Sequence, residues 1–429
     1  MRADWTMRPL GDIFDIGAGK TMSAAARVGE HKVPFLRTSN VFWDQIDLTN
    51  LDEMAIPPHE LVEKSLRRGD LLVCEGGEIG RAAIWNGSVE AISFQNHLHR
   101  LRPKYEDVEP RFYVYFLQSA FTQLGVFEGA GNRTTIPNLS SGRLAALEVP
   151  HPPIGEQRDI VRLLSHVRQA ATVNEQLIEV GQELKQTSMQ ELFSRGLRGE
   201  PLRETELGPI PKGWTIVALG SLGRIGNGTT PNRRNPDYWT GGTTPWITSG
   251  RMYERRVTGS DECVTAAALR DLSLPVLQPG AVLIAIVGQG KTLGHCALLA
   301  VEATISRHVG YIQPGENSPV TPAYLRGFLE SRYQLLRQLA SGNGSTRGAL
   351  TGGILRGLQV PLPPVDEQLE IVEILDAIDQ KIDLHQRKRE ILRELFQSLL
   401  RLVMTGEIVV EDLDLAALGV RTGFAEAVA

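Results

Sequence analysis

The sequence predicts an α+β protein built by tandem duplication: a globular α/β domain followed by a long helix, twice over, with the two helices pairing as an antiparallel coiled coil. Three observations predict it. The chain matches itself at a near-constant offset; each copy closes on a proline pair followed by about 40 residues of helical composition; and apolar residues in the second of those stretches recur in alternating steps of four and three.

The repeat comes first. "DWTMRPLGDIFDIGAGKT" (4–21) lies over "GWTIVALGSLGRIGNGTT" (213–230) at an offset of 209, and "GNRTTIPNLSSGRLAALEVPHPPIGEQ" (131–157) lies over "GNGSTRGALTGGILRGLQVPLPPVDEQ" (342–368) at 211. Between them "RRGDLLV" matches "LQPGAVLI" through Gly69 and Gly280, again at 211. So long a period is a duplicated domain, not a solenoid repeat. The resulting division is a globular domain over 1–155, a helix over 156–198, a linker over 199–213, a second globular domain over 214–365, a second helix over 366–405 and an acidic, alanine-rich tail over 406–429 that is expected to fray.

Within each globular part, "DLLVCEGG", "AVLIAIVG" and "HVGYIQP" read as strands, and "PRFYVYFLQSAF" and "TPAYLRGFLESRYQLLRQLA" as helices. Pro152-Pro153 and Pro363-Pro364 hold the chain extended ahead of a helix start, with Gly155 and Asp366 the expected N-caps. In the second helix the apolar stride runs through Ile371, Leu375, Ile378 and Ile382, then Leu392, Phe396, Leu399 and Val403. In the first, Ile160, Leu164, Val167 and Ala171 begin the same stride. About 40 residues make a helix of about 60 Å. Asn174 and His385, at matching positions in the seam, read as a register device rather than a metal site.

Composition narrows the function classes. With 42% apolar and 22% charged residues the chain has the balance of a globular protein. It has no run apolar enough to span a bilayer and no signal-type apolar start, so a cytoplasmic location and no membrane partner are expected. Cys74, Cys263 and Cys296 are too widely spaced for a zinc pattern and read as buried fillers. The net charge of −5 conceals an asymmetry. Residues 1–155 carry 16 Lys+Arg against 19 Asp+Glu, and residues 214–365 carry 14 against 8, which suits a phosphate-bearing partner for the second domain.

Two stretches imitate a nucleotide-binding loop, "DIGAGKT" and "VGQGKT". The loop needs an early glycine, and Phe14 and Ala285 stand at that position. In the second copy "GAGKT" becomes "GNGTT", with no lysine for a phosphate, so both stretches read as tight turns in which glycine supplies positive φ. "NPDY" (235–238) imitates the base-holding element of an adenine methyltransferase, but has Asp at the second proline position and no cofactor loop before it. No catalytic constellation or metal set stands out, and none is expected in this chain.

The order of parts, with "VPxPPxxEQ" (149–157 and 360–368), "LGPIPKGW" (207–214), "NPDYWTGGTTPWITSG" (235–250), "PFLRTSNV" (34–41) and "FQNHLHRLRP" (94–103), resembles the specificity (S) subunit of type I restriction-modification enzymes over nearly the whole length. The first copy keeps only Trp5 and Leu10-Gly11 of the lead-in. The resemblance implies that each globular domain is a target-recognition domain reading one half of a split double-stranded DNA sequence, and that the paired helices are a spacer. It implies docking of two methyltransferase (M) subunits, which carry S-adenosylmethionine, and of restriction (R) subunits, which use ATP and Mg; this chain then holds no cofactor and is not itself an enzyme. The specificity component of another methyltransferase-nuclease system, or less readily a self-sufficient DNA methyltransferase, are the alternatives.

Base reading needs side chains whose donors and acceptors match base edges, with Arg or Lys set against guanine and Asn or Gln against adenine. The expected DNA-binding residues of the first domain are Arg37, Thr38, Ser39, Asn40, Gln95, Asn96 and His97. Those of the second are Thr248, Ser249, Arg251, Gln289, Lys291, Arg307 and His308. Asn132, Arg133, Asn343 and Ser345, in matching glycine-flanked loops, are expected to touch the backbone or phosphates. Arg233-Arg234 and Arg255-Arg256 read as solvated charge, and Trp43, Trp85, Trp239 and Trp246 as packing residues.

Overall fold

The structure is a computed structural model, described here over residues 5–125, 139–288, 290–341 and 348–413. The chain folds as two units, residues 1–175 with 387–429, and residues 176–386. Each holds one globular domain and a segment of each long helix.

In the first unit an antiparallel sheet orders β1 (Phe14–Ala18), β6 (Leu98–Pro103), β3 (Leu71–Cys74) and β4 (Ala82–Ile84). A second sheet pairs β2 (Lys32–Leu36) antiparallel with Asp52–Ala55 and parallel with β5 (Ser93–Phe94). Helix α1 (Pro110–Thr122), with Phe112, Tyr113, Val114, Tyr115, Phe116 and Leu117 all buried, lies in the core under α2 (Ile154–Arg195). So broad a buried surface marks a helix enclosed on several sides.

The second unit repeats the plan. β7 (Gly223–Asn227), β12 (Val309–Pro314), β9 (Val282–Ala285) and β10 (Cys296–Leu299) form the antiparallel sheet, with Arg256–Val257 added parallel at the β10 edge. β8 (Thr244–Ile247) pairs parallel with β11 (Thr304–Ile305). Helix α3 (Pro322–Ser331) takes the place of α1, and the helical stretch read as continuous is interrupted at Arg332 before resuming over Tyr333–Ser341. The final long helix is α4 (Val365–Thr405).

The long helices begin two residues earlier than N-caps at Gly155 and Asp366 would place them. The carbonyls of Pro153 and Pro364 accept the first helical bonds, from Gln157 N–H and Gln368 N–H, both at 3.0 Å, so the second proline of each pair occupies the cap. Both helices stop at a glycine in the left-handed region, Gly196 (φ 65) and Gly406 (φ 76). Inside each unit the two helices run antiparallel: Arg168 faces Phe396 and Glu175 meets Arg393 in the first, while Lys185 meets Asp379 and Leu197 meets Glu367 in the second. The apolar stride is the buried face. Ile160, Leu164 and Val167 join Phe396, Leu400 and Val403 in one core, and Met189, Leu192 and Phe193 join Ile371 and Leu375 in the other. Each such side chain contributes about 1.5–3 kcal/mol on burial.

The repeated "PPxxEQ" has a physical role that the sequence reading did not supply. The Glu156 carboxylate accepts from the Trp5 indole N–H at 3.2 Å, and Glu367 from that of Trp214 at 3.1 Å. Next to them, the fully buried Gln157 amide donates to the Asp107 and Pro152 carbonyls and accepts from Glu109 N–H. Gln368 donates to the Pro319 and Pro363 carbonyls and accepts from Thr321 N–H. Each glutamine therefore ties the start of a long helix to the loop that starts α1 or α3. Gln368→Leu is expected to destabilise the second unit by about 1–3 kcal/mol, since two carbonyls and one N–H lose their partner. Urea denaturation with hydrogen exchange read unit by unit checks this; full protection in the variant would remove the clamp from the account.

Candidate nucleic-acid interface

Parallel pairing of β2 with β5 sets the geometry. Phe35 lies opposite Ser93 and Leu36 opposite Phe94, so both strands finish at the same edge, and the stretches 37–40 and 95–97 leave it side by side. Gln95 N–H donates to the Leu36 carbonyl at 2.9 Å. In the second unit Trp246 lies opposite Thr304 and Ile247 opposite Ile305, and Ser306 N–H donates to the Ile247 carbonyl at 2.9 Å. Residues 248–251 and 306–308 thus emerge together. Two clusters far apart in sequence become one polar edge, and the same edge recurs at an offset of 211 with different side chains.

The individual residues divide into surface and support. Arg37 is exposed and pairs with Asp52 at 2.6 Å; Ser39 and His97 are exposed, and Thr38, Gln95 and Asn96 are half-buried. Asn40 is buried. Its Oδ1 accepts from Arg37 N–H and its Nδ2 donates to the Asp47 and Asn50 carbonyls, so it shapes the loop and has no polar atom left for a base edge. At the matching position Arg251 pairs with Glu254 at 2.6 Å. Thr248, Ser249 and His308 are half-buried, whereas Lys291 and Arg307 are exposed. The loop that bears Lys291 is held from beneath: Tyr333 Oη donates to the Lys291 carbonyl at 2.6 Å and Arg337 donates to the Gly290 carbonyl at 2.7 Å. Gln289, Asn132, Arg133, Asn343 and Ser345 lie outside the described residues.

The "GAGKT" and "GNGTT" turns border this edge, which the sequence reading did not foresee. Lys20 bridges to Gln95, its N–H donating to the Phe94 carbonyl, and its Nζ pairs with Glu60 at 2.6 Å. The glycines there serve contact, not positive φ. A Cβ on Gly19 would sit 2.3 Å from the Phe94 carbonyl oxygen, and one on Gly228 1.8 Å from that of Ile305. The matching Gly77 and Gly288 do have positive φ, as expected. The shared pattern is thus the footprint of a backbone packed on the parallel pair, which is why it persists in the copy that lacks the lysine.

Two further readings change. In "NPDY" the Asn235 Oδ1 caps a short 3₁₀ turn by accepting from Asp237 N–H, a local capping role that accounts for the asparagine. One member of each arginine pair is not plain solvated charge either, while Arg234 and Arg256 are exposed as expected. Arg233 lies 4.3 Å over the Trp239 ring and 4.9 Å over that of Trp246 while forking onto Glu262, and Arg255 pairs with Asp379 and Asp383. Their signal in the sequence was an arginine near tryptophan, and an arginine matching an aspartate in the other copy.

Two copies of one scaffold, each presenting Arg, His, Ser and Thr from a parallel strand edge and each seated on antiparallel helices, make a duplicated protein of the class in which one frame carries two unlike polar edges. The family profile described as type I restriction modification DNA specificity domain matches residues 2–181 and 211–394. The chain belongs to that family, as a specificity subunit with two recognition domains. It is 21% identical over 421 residues to the type I restriction enzyme MjaIX specificity subunit of Methanocaldococcus jannaschii, covering 96% of this chain and 95% of that one. To the EcoR124I/EcoR124II specificity subunit of Escherichia coli it is 27% identical over 306 residues, covering 67% and 70%. The fold is shared with a solved chain of a type I R-M system (TM-score 0.59, 19% identity, 95% and 99% covered) and with the S subunit from M. genitalium (TM-score 0.55, 16% identity, 93% and 95% covered). Among the described residues, no helix is long and apolar enough to cross a membrane.

His295 supplies a pH test of the Lys291 loop. Its ring lies between those of Tyr253 and Tyr333, each 4.6 Å away, and Tyr253 Oη bonds the Thr292 hydroxyl. Burial lowers its pKa below the ordinary value of 6.5; Arg337 lowers it further and Glu330 opposes. With the folded value depressed, its contribution to stability is complete above pH 6.5 and is lost as pH falls through the folded value. Thermal unfolding of the second unit should therefore weaken from pH 7 to pH 5, with a shallower slope in His295→Gln; equal slopes would refute the assignment. Gly228→Ala should cost about 1–3 kcal/mol by forcing β11 away, seen as a lowered midpoint in the same experiment.

Proposed function

We propose that this chain reads a bipartite duplex DNA sequence, one half with each recognition domain, and carries the enzymes that act on it. Two methyltransferase subunits holding S-adenosylmethionine and restriction subunits using ATP and Mg are its partners, in the cytoplasm. This chain itself holds no cofactor and performs no catalysis. The observation that carries the reading is the recurrence of one polar strand edge with different residues on it, Arg37-Thr38-Ser39 and Gln95-Asn96-His97 in one unit, Thr248-Ser249-Gly250 and Ser306-Arg307-His308 in the other. A single frame with altered side chains suits two readers of unlike half-sites.

Exposed apolar residues on the helices support docking. Leu177, Val180 and Leu184 on α2 are exposed, as are Ile391 and Leu395 on α4, and Val180 and Leu184 match Ile391 and Leu395 in the repeat. A surface that leaves equivalent apolar side chains in water in both copies suits two copies of one partner.

Methylome sequencing of cells carrying the cognate methyltransferase, with and without this chain, tests the reading. A split motif that disappears with the chain is expected. Arg37→Ala should relax discrimination in one half of that motif and Arg307→Ala in the other, each by about 1–3 kcal/mol. An unchanged methylome, or duplex affinity without salt dependence, would overturn the proposal.

A further inference from the structure

The place where each recognition domain meets the two long helices carries a charge pair, and the repeat inverts its sign. In the first unit Asp44, from the domain, pairs with Arg168 of α2 at 3.2 Å and, within its own domain, with Arg111 at 3.1 Å and the Tyr115 hydroxyl at 3.0 Å; the Asp44 side chain is 7% exposed. At the same offset of 211, the second unit has Arg255 in the domain paired with Asp379 of α4 at 2.8 Å; there the helix residue is the buried one, 6% exposed. The two positions share their place in the repeat but not their backbone: Asp44 has a φ of 52 at the tip of the hairpin of Val41–Phe42 with Gln45–Ile46, whereas Arg255 directly precedes Arg256–Val257, which pairs parallel with β10. Domain and helix have therefore traded charges between the copies.

The third member of each cluster follows the trade, and it comes from the other helix. Position 396 of α4 matches position 185 of α2 in the repeat. In the first unit Phe396 presents its ring to Arg168, whose guanidinium lies 5.6 Å from the ring centre. In the second unit Lys185 reaches Asp379 at 2.9 Å. A ring faces the arginine and an ammonium faces the aspartate, so three positions from three chain segments change together.

We infer that this inverted triplet is a sorting code: it admits each recognition domain to its own helix pair and rejects its near-duplicate. The domain of the second copy, placed on the first seat, would set Arg255 against Arg168. The domain of the first, placed on the second seat, would set Asp44 against Asp379. Like charges held close are unfavourable, most strongly for the buried Asp44 and Asp379 and less so for Arg168 and Arg255, which are 27% and 35% exposed. The code also selects the helix partner. Two α2 segments pairing between copies of this chain would bring Lys185 against Arg168, and two α4 segments would leave Asp379 facing a phenyl ring. Under the function proposed above, which itself does not depend on the code, sorting fixes which half-site reader occupies which seat.

The test is a set of full-length variants read by hydrogen exchange in each unit, independent of DNA binding. Asp44→Arg and Arg168→Asp should each raise the rate of local opening in the first unit by about tenfold or more, and the double variant should be more protected than Asp44→Arg alone, with recovery limited by the loss of the Asp44 carboxylate from Arg111 and Tyr115. Phe396→Lys is the discriminating change. It should loosen the first unit of the natural chain, where it faces Arg168, and tighten the charge-reversed double variant, where it faces aspartate; a purely structural role for Phe396 gives a loss in both backgrounds. A second chain with the two globular domains transposed should fold less stably than the same transposed chain carrying Arg168→Asp and Asp379→Arg. Additive single losses with no recovery, an unchanged sign for Phe396→Lys, or transposed chains equally unstable with and without reversal would overturn the code.

Discussion

Everything in each unit depends on one buried hydrogen-bonded pair, the glutamate and glutamine that open each long helix. Glu156 and Glu367 are buried carboxylates that accept from an indole N–H, and Gln157 and Gln368 are buried amides with three bonds each to backbone groups of loops near the core. Groups of this kind are costly to bury without partners and directional when satisfied. They therefore fix the angle and register at which a helix of more than 40 residues leaves a globular domain. Apolar packing alone would hold the helix against the domain and leave its sliding and rotation poorly determined.

With that joint set, the polar edge is determined by strand pairing. A parallel pair of only two residues per strand is a weak element by itself, and its stability comes from what surrounds it. Phe35, Leu36, Phe94, Ile247 and Ile305 are all fully buried, and the Gly19 and Gly228 backbones close over the pair where no side chain fits. The result is a rigid base beneath side chains that are free to differ. Arg37 and Thr248 sit on equivalent extended backbones at the head of the same short turn.

How much of this was legible in the sequence follows from the range of each interaction. The duplication, the long helices and their seam are periodic, local signals, and Ile371, Leu375, Phe396 and Val403 lie buried as the stride required. The first helix was legible mainly by alignment to the second, since its seam is diluted by Asn174 and by the exposed Leu177 and Leu184. Caps displaced by two residues reflect the carbonyls of Pro153 and Pro364 accepting the first helical bonds where Gly155 and Asp366 were the expected N-caps. The candidate site was legible as polar clusters but not as an edge. Residues 37–40 and 95–97 are joined by a two-residue parallel contact that leaves no periodic trace. Asn40 shows the complementary failure, because an asparagine that reads a base and one that ties a loop have the same composition and neighbours until its partners at Asp47 and Asn50 are known.

Duplication also creates a difficulty that the molecule has to meet. Two domains with the same joint, the same strand edge and the same helix surface are compatible with each other's places, and pairing between identical segments of separate chains is as available as pairing within one. Apolar complementarity distinguishes such alternatives poorly, because a seam of Ile, Leu and Val accepts another of the same spacing. Charge distinguishes them well, since a mismatch turns attraction into repulsion at a buried position instead of merely losing a contact. A duplicated protein whose halves must stay distinct therefore needs its differences in two places: on the polar edge, where Arg37 stands against Thr248, and at the joint, where Asp44 stands against Arg255. Divergence at the first without the second would produce two specificities with no assigned positions.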